Sequence, residues 1–270
     1  MSVLCYVSPK KTKAMRLCTH FAFGCNGAVM PPGHNKLEPG PAFFYGWTEH
    51  THSLFLECQR DGRDWYYADN AYYFGRSEYF RITRNGFMHN GTGRASAYGK
   101  KRAEALGVHM SGWRKPRHGP IIITTQSELF YSVRLGTTRS AWAEAIKRKI
   151  EKHTSRPVVI LDKPESRDMH QTQPHALNLE TLLGDAWALV THSSSAGIAA
   201  LCAGVPVFAV APSMMGTMGI SDLKQIESPR YPDDRERWIS VLMANQWTLD
   251  EIASGEAMAK LAQQGKRVAV

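Results

Sequence analysis

From His192 to Gly197 the chain reads His-Ser-Ser-Ser-Ala-Gly, three consecutive hydroxyls beside an imidazole where an apolar run gives way to helix-forming residues. A helix start leaves backbone N–H groups without intrahelical partners and carries a partial positive charge. Hydroxyls of Ser193, Ser194 and Ser195, joined by such amides, can cradle a phosphate or diphosphate, and Gly197 would let the ligand come close to the backbone. His192 either adds a donor or completes the turn. A plainer reading stands beside this one: serine is a favoured N-cap, so Ser193 can be a cap and its neighbours filler.

Other groups fall where such a ligand needs them. Lys163 follows the apolar run Val158 to Leu161 and either places a full positive charge beside the phosphate or is a solvated lysine ahead of Pro164. Thr124, Gln126 and Ser127 end the run that begins at Ile121, in the place of a base or ribose contact, and equally read as a polar loop. Transfer to a hydroxyl acceptor also needs a group that removes a proton. Asp69, in Tyr67-Ala68-Asp69-Asn70, is the first choice, with Glu49 and Asp64 as substitutes, although Asp-Asn also favours a simple turn.

The elements that must position these residues alternate. After Arg114 to Pro120, whose composition is that of a linker, the pattern predicts strand Ile121 to Thr125, helix Ser140 to His153, strand Val158 to Leu161, helix Leu177 to Leu183, strand Ala188 to Thr191, helix Ala196 to Ala203 and strand Val205 to Val210. Such alternation makes a parallel sheet with right-handed crossovers, and ligands lie beyond the carboxyl ends of its strands. Gly204 is placed to terminate the last helix. Earlier, residues 42–47, 53–58, 65–68 and 80–83 read as strands, Ala95 to Leu106 as a helix, and Gly24 to Gly40 as loop. In the tail, Trp238 to Met243 and Leu249 to Leu261 read as amphipathic helices joined by Asn245 to Thr248. The fold class expected is α/β with two Rossmann-like lobes, 1–117 for the acceptor and 118–270 for a nucleotide-sugar, the C-terminal helices packing across the seam.

Composition narrows the partners. The 270 residues are 43% hydrophobic and 10% aromatic, enough for a full core. Five cysteines without paired spacing suggest neither a disulfide framework nor a zinc site, and so a reducing cytoplasmic setting. No apolar stretch approaches the roughly 18 residues of a spanning helix. The net charge of +9 points to an anionic partner. Arg76, Arg81, Arg84, Lys100, Lys101, Arg114 and Arg117 fall in a segment whose acids are Glu78 and Glu104, and Arg76 and Arg81 flank Tyr79-Phe80. Arginines interleaved with aromatic rings can neutralise phosphates and stack on bases; core rings with solvated arginines are the alternative.

The run Thr191 to Val210, with its Ser-rich turn, AGIAALCAG helix and Gly-Val-Pro-Val strand, resembles the nucleotide-sugar lobe of GT-B-type glycosyltransferases, capsule-type sugar transferases among them. Val159 to Pro164 fits a strand ending in Lys-Pro there, while the His-Pro that usually follows is missing. Asp64 to Phe87 and the tail from Ile220 to Ala257 look similar to bacteriophage glycosyltransferases that modify hydroxymethylated pyrimidines in DNA. The resemblance implies sugar transfer from a nucleotide-sugar, a UDP-sugar first, with no permanently bound cofactor and no metal site. It implies double-stranded DNA carrying hydroxymethylcytosine or hydroxymethyluracil as acceptor, a saccharide or lipid-linked sugar being the variant. A non-catalytic DNA-binding or nucleotide-sensing protein on the same scaffold is the alternative outside this class. Sugar, nucleotide, stereochemical course and oligomeric state stay open.

Overall fold

Strands in this chain grow from short apolar runs, and two of them, Ala42–Tyr45 and Ile121–Thr124, lie inside two separate sheets. The computed structural model describes residues 2–9, 12–73, 79–163 and 178–263. The described residues of 1–89 and 242–270 form one compact unit, and those of 90–241 a second. The boundary expected from the sequence is 117/118, and the described residues of 90–117 and 242–270 each fall in the other unit from the one expected.

In the first unit β1 (Leu4–Tyr6), β2 (Ala28–Val29), β3 (Ala42–Tyr45) and β4 (Trp65–Asn70) run parallel in the order β4-β3-β1-β2, and β5 (Tyr79–Arg84) joins β4 antiparallel. Both faces are covered, which is why β3 reads as an unbroken apolar run. Phe43 stacks on Phe21 of α1 (Thr12–Gly24) at 3.9 Å between ring centroids, while Phe44, pointing the other way, meets Phe55 of α2 (Glu49–Arg60) at 4.6 Å.

Helix α2 corrects one expectation. Residues 53–58 read as a short strand, yet Leu56 is 52% exposed and the buried set is Thr51, Leu54, Phe55 and Cys58. That spacing is helical, and Thr48 starts the helix through a reciprocal capping box with Thr51.

The second unit takes in α3 (Ala97–Ala105), capped by Ser96, and a sheet in which every pairing is parallel, in the order β7-β6-β8-β9. Its strands are β6 (Ile121–Thr124), β7 (Val158–Leu161), β8 (Ala188–Thr191) and β9 (Val207–Ala209). A short turn α4 (Glu128–Phe130) runs into a π-helical turn, Tyr131–Leu135, before α5 (Arg139–Glu151). Then come α6 (Leu179–Asp185) and α7 (Ala196–Cys202). Gly204 ends α7 as expected: at φ +80° it lets its own N–H donate to Leu201 O and that of Val205 to Ala200 O, the two bonds of a Schellman motif.

The chain leaves the second unit through α8 (Arg235–Met243), in which Trp238 is buried and donates to Met214 O. Asn245 to Thr248 is a strand and not a plain connector: β10 (Gln246–Thr248) pairs antiparallel with β5 and buries Trp247 completely. The helix expected over Leu249 to Leu261 is two, α9 (Leu249–Ala253) and α10 (Glu256–Gln263), parted by Gly255 at φ +83°. They pack in the first unit, in one core with α1. A Cβ on Gly24 would lie 1.9 Å from Ile252 O, so that crossing admits only glycine.

Candidate functional site

The second sheet winds in two directions. From β6 the chain crosses to β7 on one side, and from β8 it continues to β9 on the other, so the winding reverses between the adjacent strands β6 and β8. The loops leaving their carboxyl ends, Thr125 to Ser127 and His192 to Ser195, meet there. This is where open α/β sheets hold ligands.

Thr191 ties the loops together. Its buried hydroxyl donates to Thr124 O at 3.2 Å and accepts from Ser194 N at 3.2 Å. Gln126 Nε2 lies 3.4 Å from Ser193 Oγ, and His192 Nδ1 lies 3.0 Å from the same hydroxyl. Thr124 Oγ1 and Gln126 Oε1 are buried with no hydrogen-bond partner among the described residues. Each such group costs about 1–3 kcal/mol, which makes this layer a place of unmet hydrogen-bonding capacity.

Ser193 is 2% exposed and bonded to two side chains, while the N-cap of α7 is Ser195, whose own side chain makes no capping bond. The capping role considered for Ser193 therefore belongs elsewhere. Ser194 Oγ accepts from Ala196 N at 3.3 Å, and Ser195 is exposed. Helix α7 has seven residues, so its dipole is modest and the site rests on loops and hydroxyls more than on a helix terminus. Gly197 serves packing: a Cβ there would lie 2.7 Å from Met215 Sδ, so its missing side chain makes room for methionine and not for a ligand.

Burial, helped by the positive charge of Arg134, lowers the His192 pKa to about 4. Its ring meets Phe130 edge-on at 5.1 Å and Trp142 at 6.2 Å. The turn from Glu128 to Leu135 that supplies Phe130 and Arg134 carries no strand or long-helix pattern in the sequence. Its signal is Gly136, left-handed at φ +62°, which closes a π-turn, a feature frequent at functional sites. Tyr131 fixes the turn by accepting from Gln126 N at 3.2 Å. Lys163 is exposed; its backbone N–H donates to Thr125 Oγ1, whose hydroxyl donates to Asp162. Pro164 lies outside the described residues.

In the first unit Asp69 is engaged. Oδ2 receives Arg81 at 2.7 Å and the Tyr67 hydroxyl at 3.2 Å, and Oδ1 receives Asn70 N at 2.7 Å. Burial opposes the charge on Arg81, but Asp69 and the phenols of Tyr67 and Tyr72 outweigh it and hold the guanidinium pKa above its ordinary value. Both oxygens of this carboxylate are therefore engaged within the β4–β5 pair and its own strand end. Glu49 is exposed in the first turn of α2, and Asp64 pairs with Arg84 at 2.6 Å.

The same geometry thins the basic set. Arg81 is 9% exposed and Arg84 holds Asp64, so both are occupied inside the unit. Arg114, exposed, donates to Leu183 O and Gly184 O near the end of α6. Lys100, Lys101 and Arg117 are exposed, and Arg76 lies outside the described residues. No group of three or more His, Cys, Asp or Glu side chains among the described residues is arranged to hold a metal, and no described helix is long and apolar enough to cross a membrane.

No family model matches the sequence, and no curated protein matches it. Solved structures do match, and they define the class of fold: a two-sheet, Rossmann-like α/β arrangement found in glycosyltransferases. One is the β Kdo 2,4 transferase of Thermosulfurimonas dismutans KpsC, with a TM-score of 0.55 and 14% identity over 90% of either chain. Another is the β Kdo 2,7 transferase of the same protein, at a TM-score of 0.56 and 13% identity, covering 96% of this chain and 100% of that one.

Two outcomes follow from the charges. Asp69→Asn keeps the shape but strands a buried guanidinium, and is expected to lower unfolding stability by about 3 kcal/mol in denaturant titrations; an unchanged midpoint would mean the pair is dispensable. His192, folded at a pKa of about 4 against an ordinary 6.5, binds its proton more readily when unfolded. Its contribution is therefore present above pH 6.5 and is lost as the pH falls toward 4. His192→Gln is expected to flatten the pH dependence of stability across that window, and an unaltered slope would contradict the neutral assignment.

Proposed function

We propose that this protein is a glycosyltransferase that moves a sugar from a nucleotide-sugar donor to a hydroxyl of a saccharide acceptor. The observation that carries the proposal is the hydroxyl-lined reversal between β6 and β8, with Thr124, Gln126, His192 and Ser193 at the carboxyl ends of these two strands. The likeness to Kdo transferases over nearly the whole chain supports the same reading.

In the proposed reaction the acceptor oxygen bonds to the anomeric carbon as the bond from that carbon to the phosphate oxygen breaks. The electron pair leaves with the phosphate, and the acceptor proton passes to a base. Charge builds on the leaving phosphate, so fixed hydroxyls and amides at the β8 loop favour the transition state over the ground state. Ser194 and Ser195, at the outer edge of that loop, are the contacts proposed for the phosphate, and Gln126 and Thr124 those for the nucleoside. The base is left unassigned, because Asp69 is committed to Arg81.

A saccharide acceptor is preferred to modified DNA because Arg81, which follows Tyr79-Phe80, and Arg84 are engaged within their own unit. Exposed Lys100, Lys101 and Arg117 support DNA as the second reading.

The test is transfer. Purified protein is incubated with a panel of nucleotide-sugars, UDP-glucose and CMP-activated Kdo among them. Oligosaccharides are offered as acceptors in one arm and hydroxymethylcytosine- or hydroxymethyluracil-containing DNA in the other, with mass spectrometry of both. A saccharide heavier by one sugar is expected, with kcat/KM about a hundredfold lower in Ser194→Ala. Modified nucleosides with unmodified saccharides would replace the acceptor, and no consumption of any donor would remove the transferase reading.

A further inference from the structure

The first sheet reverses its winding as the second does. From β1 the chain crosses to β2 on one side, while β3 lies on the other side of β1 and leads on to β4, so the reversal falls between the adjacent parallel strands β1 and β3. The loops that follow these strands are tied by a pair of buried hydroxyls, Ser8 Oγ and Thr48 Oγ1, which lie 3.0 Å apart. The segment after β2 joins them: Gly33 N donates to Val7 O at 3.0 Å, and the His34 ring stands 6.2 Å from that of Tyr6. His34 Nε2 lies 3.4 Å from a Glu38 carboxylate oxygen. His50 follows Thr48 by two residues and is close enough to His34 for the two imidazoles to repel. Its Nε2 is buried with no hydrogen-bond partner among the described residues.

We propose that the reversal between β1 and β3 is a second ligand site, at which His50 and His34, with Glu38, hydrogen-bond the hydroxyls of a saccharide. The identity of that saccharide as the acceptor rests on the transferase reading; its binding does not. A neutral imidazole offers one donor and one acceptor nitrogen, and a sugar hydroxyl both donates and accepts. Burial first, and then the charge on His34, lower the His50 pKa, so its ring is neutral at pH 7. A ligand hydroxyl supplies the partner that the fold withholds from His50 Nε2. Glu38, and Glu49 one residue before His50, accept from hydroxyls and repel a phosphate, which sets the ligand class.

NMR of the full-length protein tests the assignment, with the methyl glycosides of glucose, galactose, mannose and Kdo and with inorganic phosphate as probes. At least one glycoside is expected to shift the His50 ring resonances saturably, together with the amides of Ser8, His34 and Thr48 to Thr51, and phosphate to leave them unmoved. For the glycoside bound best, His50→Phe, which keeps a planar ring without nitrogens, is expected to weaken binding about tenfold. His52→Gln, at a neighbouring ring that stands 5.3 Å from Trp47, is expected to change it less than twofold. The wild-type shifts decide the matter even where His50→Phe does not fold. No glycoside response at His50, a saturable response to phosphate alone, or full affinity in folded His50→Phe overturns the assignment. Sugar transfer to a saccharide with His50 unresponsive overturns the site and leaves the transferase reading standing. A glycoside bound at His50 in a protein that consumes no nucleotide-sugar supports the site and removes the transferase reading.

Discussion

One buried hydroxyl holds the second unit's site together. Thr191 sits at the end of β8 with no exposed surface, donates across to β6 and accepts from the turn that follows. Parallel strands covered on both faces have nowhere to place polar groups except at their ends, so loops diverging from adjacent strands create the crevice and its chemistry at once. Because the winding reverses between β6 and β8, the two loops that Thr191 joins are the two that no crossover covers. The proximity of Gln126, His192 and Ser193 follows from that junction.

The first unit solves a different problem. Burying Arg81 requires a compensating charge, and Asp69 at the end of β4 provides it, with Tyr67 and Asn70 satisfying the remaining lone pairs. Such a pair is costly to break and adds little when intact, so its value lies in fixing β4 against β5 more than in net stability. The same pair engages both the first-choice base and one of the candidate phosphate contacts. Charge that reads as functional in a sequence is here occupied within the fold.

The second unit was the more legible of the two in the sequence. Ile121 to Thr124, Ala188 to Thr191 and Gly204 speak through local chemistry: unbroken apolar runs mean strands covered on both faces, and a glycine after a short helix means a left-handed cap. Misreadings arose where local pattern is ambiguous or the partner is distant in sequence. The run 53–58 is short and apolar enough for a strand, and it is the helical spacing of Thr51, Leu54, Phe55 and Cys58 with the Thr48 cap that settles the matter. β10 pairs with β5 across more than a hundred intervening residues, a contact that no window along the chain reveals. At the site, the hydroxyl cluster was legible because serines repeat. Arg134 was not, because a π-turn has no repeating signature, and Gly197 was misread because its neighbour Met215 is brought near by folding alone.

The central claim is that a nucleotide occupies the reversal between β6 and β8. Mapping amide and side-chain NMR shifts of the full-length protein while titrating the best-bound nucleotide examines it most directly. The account predicts saturable shifts concentrated at Thr124 to Ser127, Phe130 to Gly136 and Thr191 to Gly197. Saturable shifts centred on any other surface, with these three segments unmoved, would contradict it.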